Sequence, residues 1–227
     1  YDKLITYNVV GGKMNSKLTK EKCLLIFIIG CIAGTIYEDL LEGFTNLNNT
    51  GIFSFNVHRG VIYGPLNIVY GAGAVLMVLL LKNDKLWYKI YLKGMLIGGA
   101  FEYLTSYLQE TFIGSISWDY SDLPFNLNGR TALSIMLIWG FACVLLMKIV
   151  YPFISRLLDK IPINIMNTLY CVLGVLLILD MLISWTALGR QYLRHKGHRP
   201  LTFIGEFYDN YYTDEFLKKY FANMKFD

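Results

Sequence analysis

The sequence predicts an all-α, polytopic membrane protein: a bundle of about five transmembrane helices with two longer polar and aromatic loops on one side. Three observations predict it. Of the 227 residues, 55% are hydrophobic and 17% charged, a balance far from that of soluble domains. Apolar windows of about 20 residues, the length that crosses a bilayer as a helix, recur near Lys22–Leu41, Val61–Leu81, Leu86–Leu108, Thr131–Tyr151 and Ile165–Leu188. Most of the lysines sit at or beyond the window edges, where topology signals belong. The chain therefore divides into an N-terminal flank (1–21), a transmembrane helical domain (22–189) and a polar, aromatic C-terminal tail (190–227).

In the N-terminal flank, Met14 is the expected translation start, because the residues before it carry no apolar or capping logic. Lys13, Lys17, Lys20 and Lys22 precede the first span, Lys82 and Lys85 separate the second and third, and Lys148, Arg156 and Lys160 surround the turn between the fourth and fifth. The positive-inside rule places these regions in the cytoplasm and the loops at 43–59 and 109–130 outside. Arg190, Arg194, Lys196 and Arg199 oppose that assignment, since an odd number of spans exports them.

The first span ends in Glu38 and Glu42, one helical turn apart, which read as a solvated helix end. The second opens with His58-Arg59-Gly60 and Tyr63-Gly64-Pro65, a helix-breaking run, and places Tyr63, Asn67 and Tyr70 on one stripe. The third carries Gly94, Gly98 and Gly99 for close packing, then Glu102, Ser106 and Gln109, with Tyr103 and Tyr107 beside them. Its loop holds Trp118-Asp119-Tyr120 and Asn126-Leu127-Asn128-Gly129-Arg130, and the fifth span holds Asp180 and Ser184. Phe216, Tyr220 and Phe221 recur at helical spacing, predicting an amphipathic, interfacial helix around Asp214–Phe226.

Ionisable residues within spans mark functional sites by default. With alternating spans, Arg59, Tyr63, Asn67, Glu102, Tyr103, Trp118, Asp119, Asn126, Asn128, Arg130 and Asp180 all fall towards one side, and a shared cavity is the economical expectation. Buried charges need partners, so Glu102 or Asp180 is expected to pair with Arg130 or Arg59. The competing expectation is a structural polar network that orders the bundle. Cys23, Cys31, Cys143 and Cys171 have neither metal nor disulfide spacing, so no metal or cofactor is expected. The scattered basic residues exclude a nucleic-acid surface.

Those loop motifs, with Trp139-Gly140, Asp180 and Ser184, and Tyr220-Phe221-Ala222-Asn223-Met224, resemble the bacterial CmpB-like integral membrane proteins labelled putative ABC-transporter type IV permeases. The resemblance covers nearly everything after Met14. It departs at Ser115, Ile116 and Ser117, where the family usually carries a basic residue and a second tryptophan. It implies a multi-pass component of the bacterial cytoplasmic membrane, partnered by the lipid bilayer and by a separate ATPase subunit or a second copy of itself. No Walker A loop is present, so this chain supplies no ATPase motif of its own. The residues then support a transport component whose extracytoplasmic-side polar pocket takes an anionic or lipid-like small molecule. The alternatives are an intramembrane enzyme acting on a lipid-linked substrate, with Glu102 or Asp119 as base, or a non-catalytic accessory or sensor protein.

Overall fold

Seven helices organise the chain, as seen in a computed structural model that describes residues 18–221 and 225–226. The expected start at Met14 and residues 222–224 lie outside that range. Five helices form the bundle: α1 Lys20–Thr50, α2 Ile68–Leu81, α3 Trp87–Ile113, α4 Leu133–Leu158 and α5 Ile163–His195. The tail adds α6 Phe203–Tyr211 and α7 Asp214–Lys218. By length and composition, α1, α4 and α5 are long and apolar enough to cross a membrane. Their outer faces, with Ile36, Leu40, Ile138, Leu145, Leu176 and Leu179 exposed, would be an aggregation surface in water and suit lipid.

Local chemistry sets the element ends. Thr19 caps α1 by accepting the Lys22 N–H, and Gly51 ends it at φ 75°, a left-handed conformation that glycine adopts freely. In α4, Pro152 lacks an N–H and its ring would meet the carbonyl four residues back; a π-helical turn over Leu146–Val150 widens the helix just before it. The second helix begins later than the Val61 expected from hydropathy. Gly64 takes φ 93° and Pro65 cannot donate, so the chain enters as irregular backbone and turns helical only at Ile68. The 14 residues of α2 then span only about 21 Å, from 14 rises of 1.5 Å.

Two close helix pairs dominate the packing, α1 with α2 and α3 with α4. Glycines make each approach possible: Gly34 lies under the Tyr70 ring and Gly71 against Cys31, while Gly98 lies under Trp139 and Gly94 against Cys143. One apolar core, including Leu25, Met77, Leu81, Ile90 and Met147, joins the pairs. A second core links Ile62 and Ala187 to Tyr212, Leu217 and Phe221 of the tail. The helix expected around Asp214–Phe226 is only the five residues of α7. Beyond it the backbone pairs elsewhere: the Arg59 N–H reaches the Tyr220 carbonyl, His58 bridges to Phe221, and Lys225–Phe226 forms a strand with Ser115–Ile116. Those tertiary hydrogen bonds override helical spacing.

Candidate functional site

The glycine stripes of α1 and α3 each end in a carboxylate. Gly30, Gly34 and Glu38 follow one another at four-residue intervals, and so do Gly94, Gly98 and Glu102; residues so spaced share a helix face. Because the glycines bring a neighbouring helix close, each glutamate is held inside the bundle. Tyr70, stacked over Gly34, donates its hydroxyl to Glu38 Oε1. Glu102 is buried and accepts from Tyr120 at 3.0 Å and from Thr131 at 2.8 Å. Burial, followed by the charge of Glu102, pushes the Tyr120 phenol well above its ordinary range, so it remains a proton donor to that carboxylate.

The irregular segment 58–67 crosses between α1, α5 and the tail, and its backbone groups need partners that lipid cannot offer. Ser184 Oγ accepts the Ile62 N–H at 2.8 Å and Asp180 Oδ1 accepts the Tyr63 N–H at 3.1 Å. Ser184 also donates to Asp180 at 3.1 Å. The Gly60 N–H reaches the Leu66 carbonyl, and the Asn67 N–H reaches that of Cys31. At the other end of the segment, Asp39 accepts the His58 N–H at 3.0 Å, and Glu42 accepts the backbone and side-chain N–H groups of Asn56. The Glu38–Glu42 stretch of α1, which continues to Thr50, is thus a docking edge for this segment, not the solvated helix end that the sequence suggested.

The loop between α3 and α4 satisfies itself. Asp119 accepts the backbone N–H and hydroxyl of Ser121, at 2.9 and 2.5 Å. Asn126 donates to the carbonyls of Ser121 and Leu123 and accepts the Gly129 N–H. Asn128 donates to the Tyr103 hydroxyl at 3.0 Å. Gly129 has φ 68°, and a Cβ there would meet Ser121 Oγ at 2.5 Å and Asp119 Oδ1 at 2.6 Å. Arg130, delivered by this loop, forms its ion pair with Glu110 and donates to Ser106 at 3.2 Å. Its guanidinium also lies over the rings of Tyr107, at 5.5 Å, and Tyr103, at 6.0 Å. The expected pairing of Arg130 with Glu102 is therefore corrected: Glu110, two helical turns further along α3, is the partner.

A cavity of about 650 Å³ opens between the two helix pairs. Arg59, Asn67, Glu102 and Trp118 line it. Its other polar lining includes Glu38, His58, Tyr70 and Gln109, and its walls include Phe101, Trp139 and Trp185. Arg59 Nε is buried with no hydrogen-bond partner among the described residues, while the guanidinium lies 5.2 Å from the Tyr220 ring centroid. Among those residues no group of three or more His, Cys, Asp or Glu could hold a metal ion.

The model of the family described as putative ABC-transporter type IV matches residues 25–185. The chain belongs to this family. No curated protein and no solved structure matches it significantly.

In this family member, Tyr63, Tyr103, Asp119, Asn126, Asn128, Arg130 and Asp180 are not among the cavity-lining residues. Asp119, Asn126 and Asp180 hold surrounding backbone groups instead, Arg130 pairs with Glu110, Asn128 bonds the Tyr103 hydroxyl, and Tyr63 reaches the tail through a 3.0 Å hydroxyl contact with Tyr212. Sequence reasoning missed Glu38 and Trp185 as cavity residues. For Glu38 the signal was present, since it continues the Gly30–Gly34 stripe as Glu102 continues Gly94–Gly98. Nothing comparable marks Trp185, whose place depends on how α5 docks.

Proposed function

We propose that this chain is the membrane-embedded, ligand-binding component of a transport system in the bacterial cytoplasmic membrane, with multiple passes and a cavity reached from the extracytoplasmic side. The bound molecule carries an anionic or lipid-like group. The family membership and the apolar helices support a membrane transport component. The observation that carries the ligand reading is Arg59, which presents a guanidinium without an ion pair among the described residues beside a cavity with largely aromatic and aliphatic walls. A partly buried guanidinium with an unpartnered Nε and no ion pair among the described residues is costly, and an anionic group entering the cavity would offset that cost. Energy input from ATP would come from a separate subunit.

No observation favours the enzymatic alternative. Both oxygens of Glu102 are occupied by hydroxyl donors, and Asp119 serves its own turn. The test is native mass spectrometry of protein purified in a maltoside detergent. A stoichiometric small molecule or lipid is expected on the wild type and should be largely lost in Arg59→Gln. Equal occupancy in both, or none in either together with no solute flux in reconstituted vesicles, would remove the reading.

A further inference from the structure

The cavity's charge does not match a simple anion. Two carboxylates, Glu38 and Glu102, face it against the one guanidinium of Arg59. His58 adds little to the balance, because Asp39 and Glu42 already flank its ring at 3.2 and 3.7 Å. Asp180 senses the Arg59 charge from behind the segment, but spends Oδ1 on Tyr63 and Ser184. Glu38 donates nothing and accepts only at Oε1, which leaves Oε2 without a donor among the described residues.

The walls add a second, independent preference. Three of the chain's four tryptophans, Trp118, Trp139 and Trp185, line this one cavity. Trp118 spends its N–H on the Arg130 carbonyl, at 3.0 Å, so its ring rather than its polar edge remains for a ligand. Aromatic faces attract organic cations, and several of them around a carboxylate are the recurrent means of holding a quaternary or primary ammonium. The apolar stretch formed by Leu108, Phe112 and Ile113 on α3 continues the same cavity and suits hydrocarbon.

We infer that the ligand is a zwitterion that joins an anionic group to an organic ammonium, as phosphocholine and phosphoethanolamine headgroups do. Its anionic group meets Arg59 and its ammonium sits between Glu38, Glu102 and the tryptophan rings. This deepens the proposed function and rests on it: the same cavity is used, and the ligand's second charge is specified.

The experiment measures quenching of tryptophan fluorescence in maltoside-purified protein. Four probes are titrated: dihexanoylphosphocholine, dihexanoylphosphoethanolamine, chain-free phosphocholine and the purely anionic dihexanoylphosphoglycerol. A zwitterion should bind about tenfold more tightly than the anionic lipid of equal chain length, the scale of a desolvated cation–aromatic contact. Glu38→Gln keeps an acceptor for Tyr70 and should fold. It is expected to erase that tenfold preference without weakening the anionic lipid, which loses a repelling charge; Arg59→Gln should weaken all four, and Arg59→Lys should restore part of the loss. Tight binding of chain-free phosphocholine would identify a free solute, and its failure beside a binding lipid would identify a lipid headgroup; both support the zwitterion. Anionic lipid binding as tight as the zwitterions, unaffected by Glu38→Gln in a variant that melts like wild type, overturns the inference and leaves the proposed function standing. No saturable binding of any probe removes both.

Discussion

Arg130 shows how a charge can be legible in a sequence while its partner is not. An arginine at the mouth of an apolar helix demands a counter-ion, and Glu102 and Asp180 are the partners that span depth suggests. The choice was settled by the loop before Arg130, in which Gly129 at φ 68° and the Asp119–Ser121 turn aim the side chain along α3 to Glu110. A double-mutant cycle on thermal stability in detergent follows from this. Arg130→Gln with Glu110→Gln should show coupling of about 1–2 kcal/mol, as expected of a half-buried, hydrogen-bonded pair. The same cycle with Glu102→Gln should be additive within about 0.5 kcal/mol. Strong coupling to Glu102 and none to Glu110 would contradict the geometry. Gly129→Ala forces a side chain into a left-handed conformation against two polar atoms, and should cost about 1–3 kcal/mol.

Among the elements, the break before α2 was readable from Gly60, Gly64 and Pro65, but its consequence was not. Exposed backbone within a bundle must find acceptors, and these come from Asp180 and Ser184 on α5, more than a hundred residues away in sequence. Asp180 reads as a ligand-site candidate because a buried aspartate looks the same in sequence whether it serves a solute or a backbone amide. Asp180→Ala and Ser184→Ala should each lower stability by about 1–3 kcal/mol, the cost of stranding a buried donor, in a detergent melting experiment. The tail is fastened by a different chemistry. Asp209 accepts from Arg190 at 2.8 Å and from Arg194 at 2.7 Å, and Arg194 also reaches Asp214 at 2.5 Å. The Arg190 hydrogen bonds hold the Asp209 carboxyl below its ordinary value of 3.8. A depressed carboxyl contributes stability that is complete above the ordinary value and lost as pH falls through the depressed one. Limited proteolysis should therefore cut within residues 196–213 faster below pH 3.8 than at neutral pH, and Asp209→Asn should give the fast rate at both. Rates independent of pH would dismiss the clasp.

At the scale of the whole molecule, the two helix pairs repeat one device: a glycine stripe ending in a carboxylate, with an aromatic ring of the following helix laid over the second glycine. Hydropathy located the five bundle helices, but it does not see this repeat, which resides in eight residues: Gly30, Gly34, Glu38 and Tyr70, and Gly94, Gly98, Glu102 and Trp139. The same architecture separates the charges by end. The Lys22–Asp159 ion pair and the bond from Lys148 to the Lys85 carbonyl gather the start of α1, the α2–α3 turn and the end of α4 at one end. The two long loops and the tail meet at the other, joined by the His58–Phe221 bridge and the pairing of Ser115–Ile116 with Lys225–Phe226. The arginines that contradicted the positive-inside assignment lie at that second end, and two of them, Arg190 and Arg194, are matched by Asp209 and Asp214. Positive charges neutralised by carboxylates of the fold weigh less in the positive-inside balance than the excess of lysines at the first end. The lysine-bearing end is thus expected inside, with the loops at 43–59 and 109–130 outside. In a background with Cys23, Cys31, Cys143 and Cys171 replaced, single cysteines at Asn48 and Ser121 should react with an impermeant maleimide in intact cells, and one at Asp84 only after lysis. Labelling at Asp84 in intact cells with silence at Asn48 and Ser121 would reverse the orientation and, with it, the side from which the cavity is filled.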